Sequence, residues 1–307
     1  MGAAAFVFPG QGSQYVGMLK DFAEGDPAAR EMIELADHIL DVPLSAICMN
    51  GPEDELRQTK NTQPAIFLHS MVVARALKGV APSMAAGHSL GEYSALVIAG
   101  VIEFEDALRL VRLRGELMQQ AGEEQRGTMA AVVGLSPEAL NEVCATASAA
   151  GVVQPANFNS PGQVVISGSV EGVRKAMELA KLAGAKIVKE LVVSGAFHSP
   201  LMASAGEGLR QGLARVSLRD AKIPVYANVT ARPVRAAEEI RELLHRQLTS
   251  PVRWDETARN MAAAGATDFV ELGPGKVLQG LIKRTVPAIA TRGFDSLADV
   301  RAGERSA

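Results

Sequence analysis

Cysteine, unbalanced charge and long apolar runs are all scarce in this sequence, and each scarcity closes off a class of protein. Only Cys48 and Cys144 occur, far apart and with no C-x-x-C or Cys/His cluster, so neither a disulfide framework nor a zinc site is encoded. The 31 basic residues nearly balance the 34 acidic ones, which leaves no electrostatic footprint for nucleic acid. No segment approaches the roughly eighteen uninterrupted apolar residues that mark a membrane-crossing helix. The first residues also lack the basic stretch of a secretory signal. There is no internal repeat and no low-complexity segment. A reducing cytoplasm is the expected setting, with neither membrane nor nucleic acid as a partner.

What is present suits a folded α/β protein: 307 residues, 48% of them hydrophobic, can bury one large core or a large and a small one. The most informative stretch is Ala85-Ala86-Gly87-His88-Ser89-Leu90-Gly91-Glu92-Tyr93-Ser94. It reads G-x-S-x-G between a short strand of small residues and an apolar helix. Two readings stand. One is a Gly-Ser turn in which Ser89 caps a helix. The other is a nucleophile elbow, a tight strand-to-helix turn that lifts the serine hydroxyl clear of the sheet beside free backbone N–H groups.

Around this turn the pattern alternates. A buried strand at 3–8 runs into Pro9-Gly10-Gln11-Gly12-Ser13-Gln14, where glycines let the backbone approach a ligand or simply turn the chain. Helices are expected at 26–40, with Pro27 as first helical residue, and at 62–78, capped by Thr62 and closed by Gly79. A long helix at 104–120 carries Leu110, Leu113, Leu117 and Met118 on its apolar face, with Arg114 among them and Arg109, Arg112 and Glu116 on the polar side. An inward guanidinium needs a partner, either a protein carboxylate or the carboxylate of a substrate, which it grips through parallel hydrogen bonds. Residues 128–193 then read β-α-β-β-α-β, the ferredoxin-like order. The expected organisation is a larger α/β-hydrolase-like domain with a parallel sheet, residues 1–125 and 195–307, and an inserted small ferredoxin-like domain, residues 126–194, with a cleft between them. In the last third, strands at 224–229, 268–272 and 288–291 alternate with helices at 236–248, 254–264 and 276–284, ahead of a loose tail at 301–307.

Of the five histidines, His38, His69 and His245 lie within helices and read as surface or core-edge residues. His88 neighbours Ser89, and adjacent side chains at a strand end point to opposite faces. His198, in the irregular segment Gly195-Ala196-Phe197-His198-Ser199-Pro200 at the domain junction, is the best candidate for a base if Ser89 is a nucleophile.

Four stretches together carry a resemblance: Phe8-Pro9-Gly10-Gln11-Gly12-Ser13-Gln14, Gly87-His88-Ser89-Leu90-Gly91-Glu92, Gly195-Ala196-Phe197-His198-Ser199 and Glu271-Leu272-Gly273-Pro274-Gly275. A fifth, residues 157–168, lies in the small domain. The sequence resembles the malonyl-CoA:acyl carrier protein transacylases of fatty acid synthesis and the related acyltransferase domains of polyketide synthases, over residues 6–284. The resemblance implies Ser89 as nucleophile, His198 as general base, Arg114 as partner of the malonyl carboxylate, and the N–H groups of Gln11 and Leu90 as an oxyanion hole. It further implies that Gln247 orients His198 through an amide or carbonyl and that Phe197 with Leu90 favours malonyl over methylmalonyl groups. Malonyl-CoA and holo acyl carrier protein would be the partners, the coenzyme A thioester being substrate with no cofactor required, and the chain a monomer. Lys186, Lys189, Lys283 and Arg284 are candidates for a basic rim that meets the acidic carrier. The competing hydrolase reading keeps Ser89 and His198 but calls for an acidic residue behind the histidine and gives Arg114 no task.

Overall fold

The computed structural model describes residues 3–304. The first part of the chain runs β1 (Ala3–Phe8), α1 (Lys20–Gly25), α2 (Pro27–Leu40), α3 (Leu44–Asn50), α4 (Glu53–Arg57), α5 (Thr59–Ala76), β2 (Met84–Gly87), α6 (Gly91–Ile98) and α7 (Phe104–Glu124). The middle is β3 (Gly127–Val133), α8 (Pro137–Ala147), β4 (Val153–Ser160), β5 (Gln163–Ser169), α9 (Val170–Leu182) and β6 (Ile187–Glu190). The last part is α10 (Ala203–Ala214), β7 (Val225–Tyr226), β8 (Pro233–Val234), α11 (Ala237–Gln247), β9 (Val252–Arg253), α12 (Trp254–Ala263), β10 (Ala266–Leu272), α13 (Val277–Thr285), β11 (Ala290–Phe294) and α14 (Leu297–Glu304).

A strand buried on both faces has to be apolar at every position, and β1 is. Phe6 and Phe8 point into one core cluster while Ala5 and Val7 point into the other. It therefore takes a central place in a six-stranded sheet of order β11-β10-β1-β2-β7-β8, parallel throughout except for β8 at the edge. The middle segment builds a second sheet, β6-β3-β5-β4, from antiparallel pairs. One face of this sheet packs on α8 and α9 through Val132, Ile166, Leu140 and Val173. Met129 and Val165 on its other face join the main core and line the cavity described below.

The small sheet is not closed within its own segment. Two residues from the last part of the chain, β9, add to it in parallel beside β4, with Asn157 opposite Val252. Other expectations also need correction. The helix expected at 62–78 begins three residues earlier, because the Thr62 hydroxyl turns back to donate to the Leu56 carbonyl and Gln58 takes the N-cap place. Pro64 lies inside that helix and cannot donate to the Lys60 carbonyl, which instead accepts a 3.0 Å bond from Arg112. Arg112 keeps its place beside Glu116 on the polar side, its Nε 2.6 Å from Glu116 Oε1, while Nη1 also bonds Asn61. His69 is not at the core edge but fully buried, edge-on to Phe22 at 5.9 Å, and burial lowers its pKa to about 3, so it is uncharged. The strand expected at 224–229 shrinks to β7, and the one at 288–291 moves to β11. The tail is helical through residue 304, with Arg301 donating to the Gly25 carbonyl; residues 305–307 of the expected loose tail lie outside those described. Short α1, α3 and α4, together with α10, β8 and α14, carry no signal picked out in the sequence.

β1 and the turn after β2 meet with no room to spare. A Cβ on Gly87 would run into the backbone of Gly91, and a Cβ on Gly91 would run into the carbonyl of Phe8. Gly91→Ala should therefore destabilise the protein by about 1–3 kcal/mol through overpacking. Chemical denaturation measures this, and an unchanged midpoint would contradict the close approach.

Candidate active site

Squeezed between those two glycines, Ser89 adopts φ 51°, a left-handed conformation that costs a residue bearing a Cβ roughly 1–2 kcal/mol. Hydrogen bonds hold it there from both sides. Its N–H donates to Asn228 Oδ1 at 2.6 Å, and its carbonyl accepts from Gln247 Nε2 at 3.0 Å and from the Glu92 N–H at 3.2 Å. Asn228 also grips the strand side of the turn, donating from Nδ2 to the Gly87 carbonyl at 2.7 Å. Such a turn aims the hydroxyl away from the sheet, and Ser89 Oγ lies 2.8 Å from His198 Nε2.

His198 is strained in the same sense, at φ 59°. Its carbonyl accepts from Gln154 Nε2 of β4 at 2.8 Å, and the following Ser199 hydroxyl bonds back to Ala196, so the loop is tied at both ends. Behind the ring, Nδ1 faces two backbone carbonyls, Gln247 at 2.9 Å and Ser250 at 3.2 Å. Carbonyl acceptors require a proton on Nδ1, which leaves Nε2 as the lone-pair nitrogen toward Ser89. Burial first, and then the Arg114 charge, lower the His198 pKa to about 3, opposed by the two carbonyls. The ring is therefore neutral throughout the physiological range.

Arg114, halfway along α7, is fully buried. Nη1 donates to Gln63 Oε1 at 2.6 Å, and Nη2 donates both to Ser89 Oγ and to Gln247 Oε1, each at 3.0 Å. The guanidinium also lies 5.6 Å from the centroid of the Tyr93 ring. Burial works against its charge, and neither Asp nor Glu lies within ion-pair distance of it among the described residues. A cation so placed, in contact with the Ser89 hydroxyl, can receive a carboxylate.

Glu92 sits behind this group. It is buried, accepts from the Asn228 N–H at 3.0 Å and from Gln247 Nε2 at 2.8 Å, and burial raises its pKa to about 7. Gln247 thus spans the whole centre: its carbonyl meets His198, while its side-chain amide meets Arg114, Ser89 and Glu92.

A cavity of about 280 Å³ opens over Ser89. Gly10, Gln11 and Gly12 from the loop after β1 form one wall, with Leu90 beside the serine. Met129, Asn157, Asn159 and Val165 of the small sheet form the opposite wall, and Phe197 with Val277, Leu278 and Leu281 of α13 closes the sides. The backbone N–H groups of Gln11 and Leu90 donate to no other group among the described residues. His88 points away from the hydroxyl, its Nε2 2.8 Å from Asn159 Oδ1 and its ring against Trp254.

The structure thus brings all seven expected residues, Gln11, Ser89, Leu90, Arg114, Phe197, His198 and Gln247, to one place. Sequence reading assigned no task to Gln63, Asn159, Gln154, Asn228 or Glu92. Asn228 carried a usable signal, a polar residue just beyond the carboxyl end of a strand in a parallel sheet. Glu92 belonged to the G-x-S-x-G stretch, but an acidic residue on the first turn of a helix reads most simply as a dipole partner.

The chain matches the family model described as "Acyl transferase domain" over residues 5–297. It is 47% identical over 287 residues to the malonyl CoA-acyl carrier protein transacylase of Bacillus subtilis (strain 168), covering 92% of this chain and 90% of that protein. The crystal structure of an acyl carrier protein S-malonyltransferase from Vibrio cholerae is 44% identical and superimposes with a TM-score of 0.93, covering 98% of this chain and 99% of that one. A malonyl-transacylase solved in complex with its type II polyketide synthase acyl-carrier protein is 42% identical with a TM-score of 0.96, over 99% of this chain and 100% of that one.

Because His198 is already neutral, modification of Ser89 by an uncharged fluorophosphonate should proceed at a nearly constant rate from about pH 8 down through the ordinary histidine range near pH 6.5. Intact-mass spectrometry follows it. A rate that halves near pH 6.5 would show an unperturbed imidazole and contradict the buried geometry.

Proposed function

The chain belongs to the acyl transferase family, and from that premise we propose that it transfers a malonyl group from malonyl-CoA to the phosphopantetheine thiol of acyl carrier protein, supplying fatty acid synthesis. The observation that carries this reading is the buried Arg114 guanidinium 3.0 Å from Ser89 Oγ. It makes the acyl pocket selective for a group that ends in a carboxylate, as malonyl does and acetyl does not. The relatives' names and the carrier-protein complex of one of them support the same donor and acceptor.

The reaction has two halves. Ser89 Oγ attacks the thioester carbon as His198 Nε2 takes the hydroxyl proton, and the carbonyl oxygen becomes an oxyanion facing the N–H groups of Gln11 and Leu90. Each such donor contributes roughly two to three orders of magnitude in rate. The carbon–sulfur bond then breaks, His198 returns the proton to the departing coenzyme A sulfur, and a malonyl-serine ester remains. In the second half the carrier thiol gives its proton to His198 and attacks the ester, and Ser89 leaves with that proton. This is ping-pong chemistry through a covalent intermediate. The Gln247 and Ser250 carbonyls hold the imidazole tautomer throughout, the task an acid performs in a hydrolase triad. Their presence and that of Arg114 favour transfer over hydrolysis.

The antiparallel β3-β5-β4 set with β6 beside β3, covered on one face by two helices, is read as the expected ferredoxin-like insertion, residues 126–194. Phe197, lining the cavity next to the base, is assigned the exclusion of an α-methyl branch. Lys283 and Arg284 are exposed on α13, whose inner face lines the cavity, and Lys186 and Lys189 are exposed on the side of β6. These four are proposed as the rim that meets the acidic carrier. No helix among the described residues is long and apolar enough to cross a membrane, and we assign a monomer working in the cytoplasm without a cofactor.

Mixing with malonyl-CoA should give a malonyl adduct by intact mass, absent in Ser89→Ala and transferred when holo acyl carrier protein is added. An adduct lost to water before the carrier arrives would instead identify a hydrolase. Arg114→Ala should reverse the preference between malonyl-CoA and acetyl-CoA, and unchanged malonyl turnover would remove its assigned role.

A further inference from the structure

The carboxylate nearest to Arg114 in effect does not touch it. Glu92 Oε2 accepts from Gln247 Nε2 at 2.8 Å, and the other end of the same amide, Oε1, accepts from Arg114 Nη2 at 3.0 Å. A neutral amide lies between two opposite charges, its dipole aligned with both. Without any counter-charge, a fully buried guanidinium would be strongly disfavoured. A carboxylate in direct contact would satisfy that need but would occupy the donors. In the arrangement seen here Arg114 Nε still has no partner among the described residues.

We propose that Glu92 is a positioning residue and the remote counter-ion of Arg114, balancing the buried guanidinium across the Gln247 amide while no protein carboxylate occupies its donors, which are held only by the neutral acceptors Gln63, Ser89 and Gln247 that the carboxylate of an incoming acyl group can replace. This rests on the reading of Arg114 as the malonyl carboxylate's partner. The second Glu92 contact, from the Asn228 N–H at 3.0 Å, fixes the carboxylate to the residue that also holds the Ser89 turn, so the charge is anchored to the elbow itself. The position sets how tightly an anion is held. Glu92, when ionised, repels the arriving carboxylate, so the site binds the malonyl group firmly enough to select it and loosely enough to pass it on.

The titratable groups facing Glu92 are Arg114 on α7 and Tyr93 on its own helix. Burial raises the Glu92 pKa to about 7 and pushes Tyr93 well above its usual range, while His198 stays neutral. The charge that changes around neutrality is therefore that of Glu92.

The test is calorimetric titration of the full chain with monoethyl malonate, a monoanion that carries the ester and carboxylate of the acyl group without the thioester. For the unaltered protein, the dissociation constant should rise severalfold from about pH 6 to about pH 8 as Glu92 ionises. Glu92→Gln keeps an acceptor for both hydrogen bonds but removes the charge; it should bind about tenfold tighter at the upper pH and lose the pH dependence. A flat pH profile in the unaltered protein overturns the proposal and requires no variant. So does a folded Glu92→Gln that binds no tighter, as expected if Glu92 only braced the fold. Should Arg114→Ala bind monoethyl malonate as well as the unaltered protein, the reading of Arg114 fails and this one with it. Loss of binding in Arg114→Ala with no effect of Glu92→Gln removes the Glu92 role alone.

Discussion

The contact of Gly91 with the carbonyl of Phe8 is the constraint on which the site depends. It draws the start of α6 onto the end of β1, and the shared contact between Gly87 and Gly91 folds the turn so tightly that Ser89 has only a left-handed backbone available. Strain of this kind persists only where surrounding bonds over-determine it. Here Asn228, Gln247 and Glu92 supply those bonds, and the same three residues go on to set the electrostatics of the pocket. Backbone geometry and charge placement are therefore one design problem.

That shared use explains why so many polar side chains are buried in one region. Gln63, Glu92, Arg114, His198, Asn228 and Gln247 would each be costly alone in an apolar interior. Connected, they satisfy one another, and Gln247 bridges the His198 ring, the Ser89 backbone, Arg114 and Glu92. Low local polarisability strengthens each of these bonds and makes any one missing partner expensive. The network also sets the state of the imidazole: His198 stays neutral because charging it in a dry site beside Arg114 is unfavourable.

Much of this was legible in the sequence because local rules and global fold agree. β1, α2, α6, α7 and the six elements from β3 to β6 followed from apolar periodicity and turn residues, with ends displaced by only a few residues in most cases. Ser89, Arg114 and His198 could be singled out by residue type and position, Arg114 because an arginine among Leu110, Leu113 and Met118 demands an explanation. What stayed hidden depends on tertiary contact. Thr62 reads as a cap until its hydroxyl is seen to reach the Leu56 carbonyl. His69 reads as a core-edge residue until α5 is seen buried on nearly every side. Asn228 and Glu92 act through partners more than 130 residues away along the chain, a separation no local pattern encodes.

The two-residue strand β9 has a consequence for exchanging parts between related proteins. The carbonyls of Gln247 and Ser250 that orient His198 lie just ahead of Val252, which pairs with Asn157 at the edge of the small sheet. A graft cut only at the ends of the segment β3 to β6 would bring a new sheet edge against an old β9. The transplanted segment should carry its own version of residues 247–253, since the stretch that joins the small sheet to the last part of the chain also sets the angle of the imidazole.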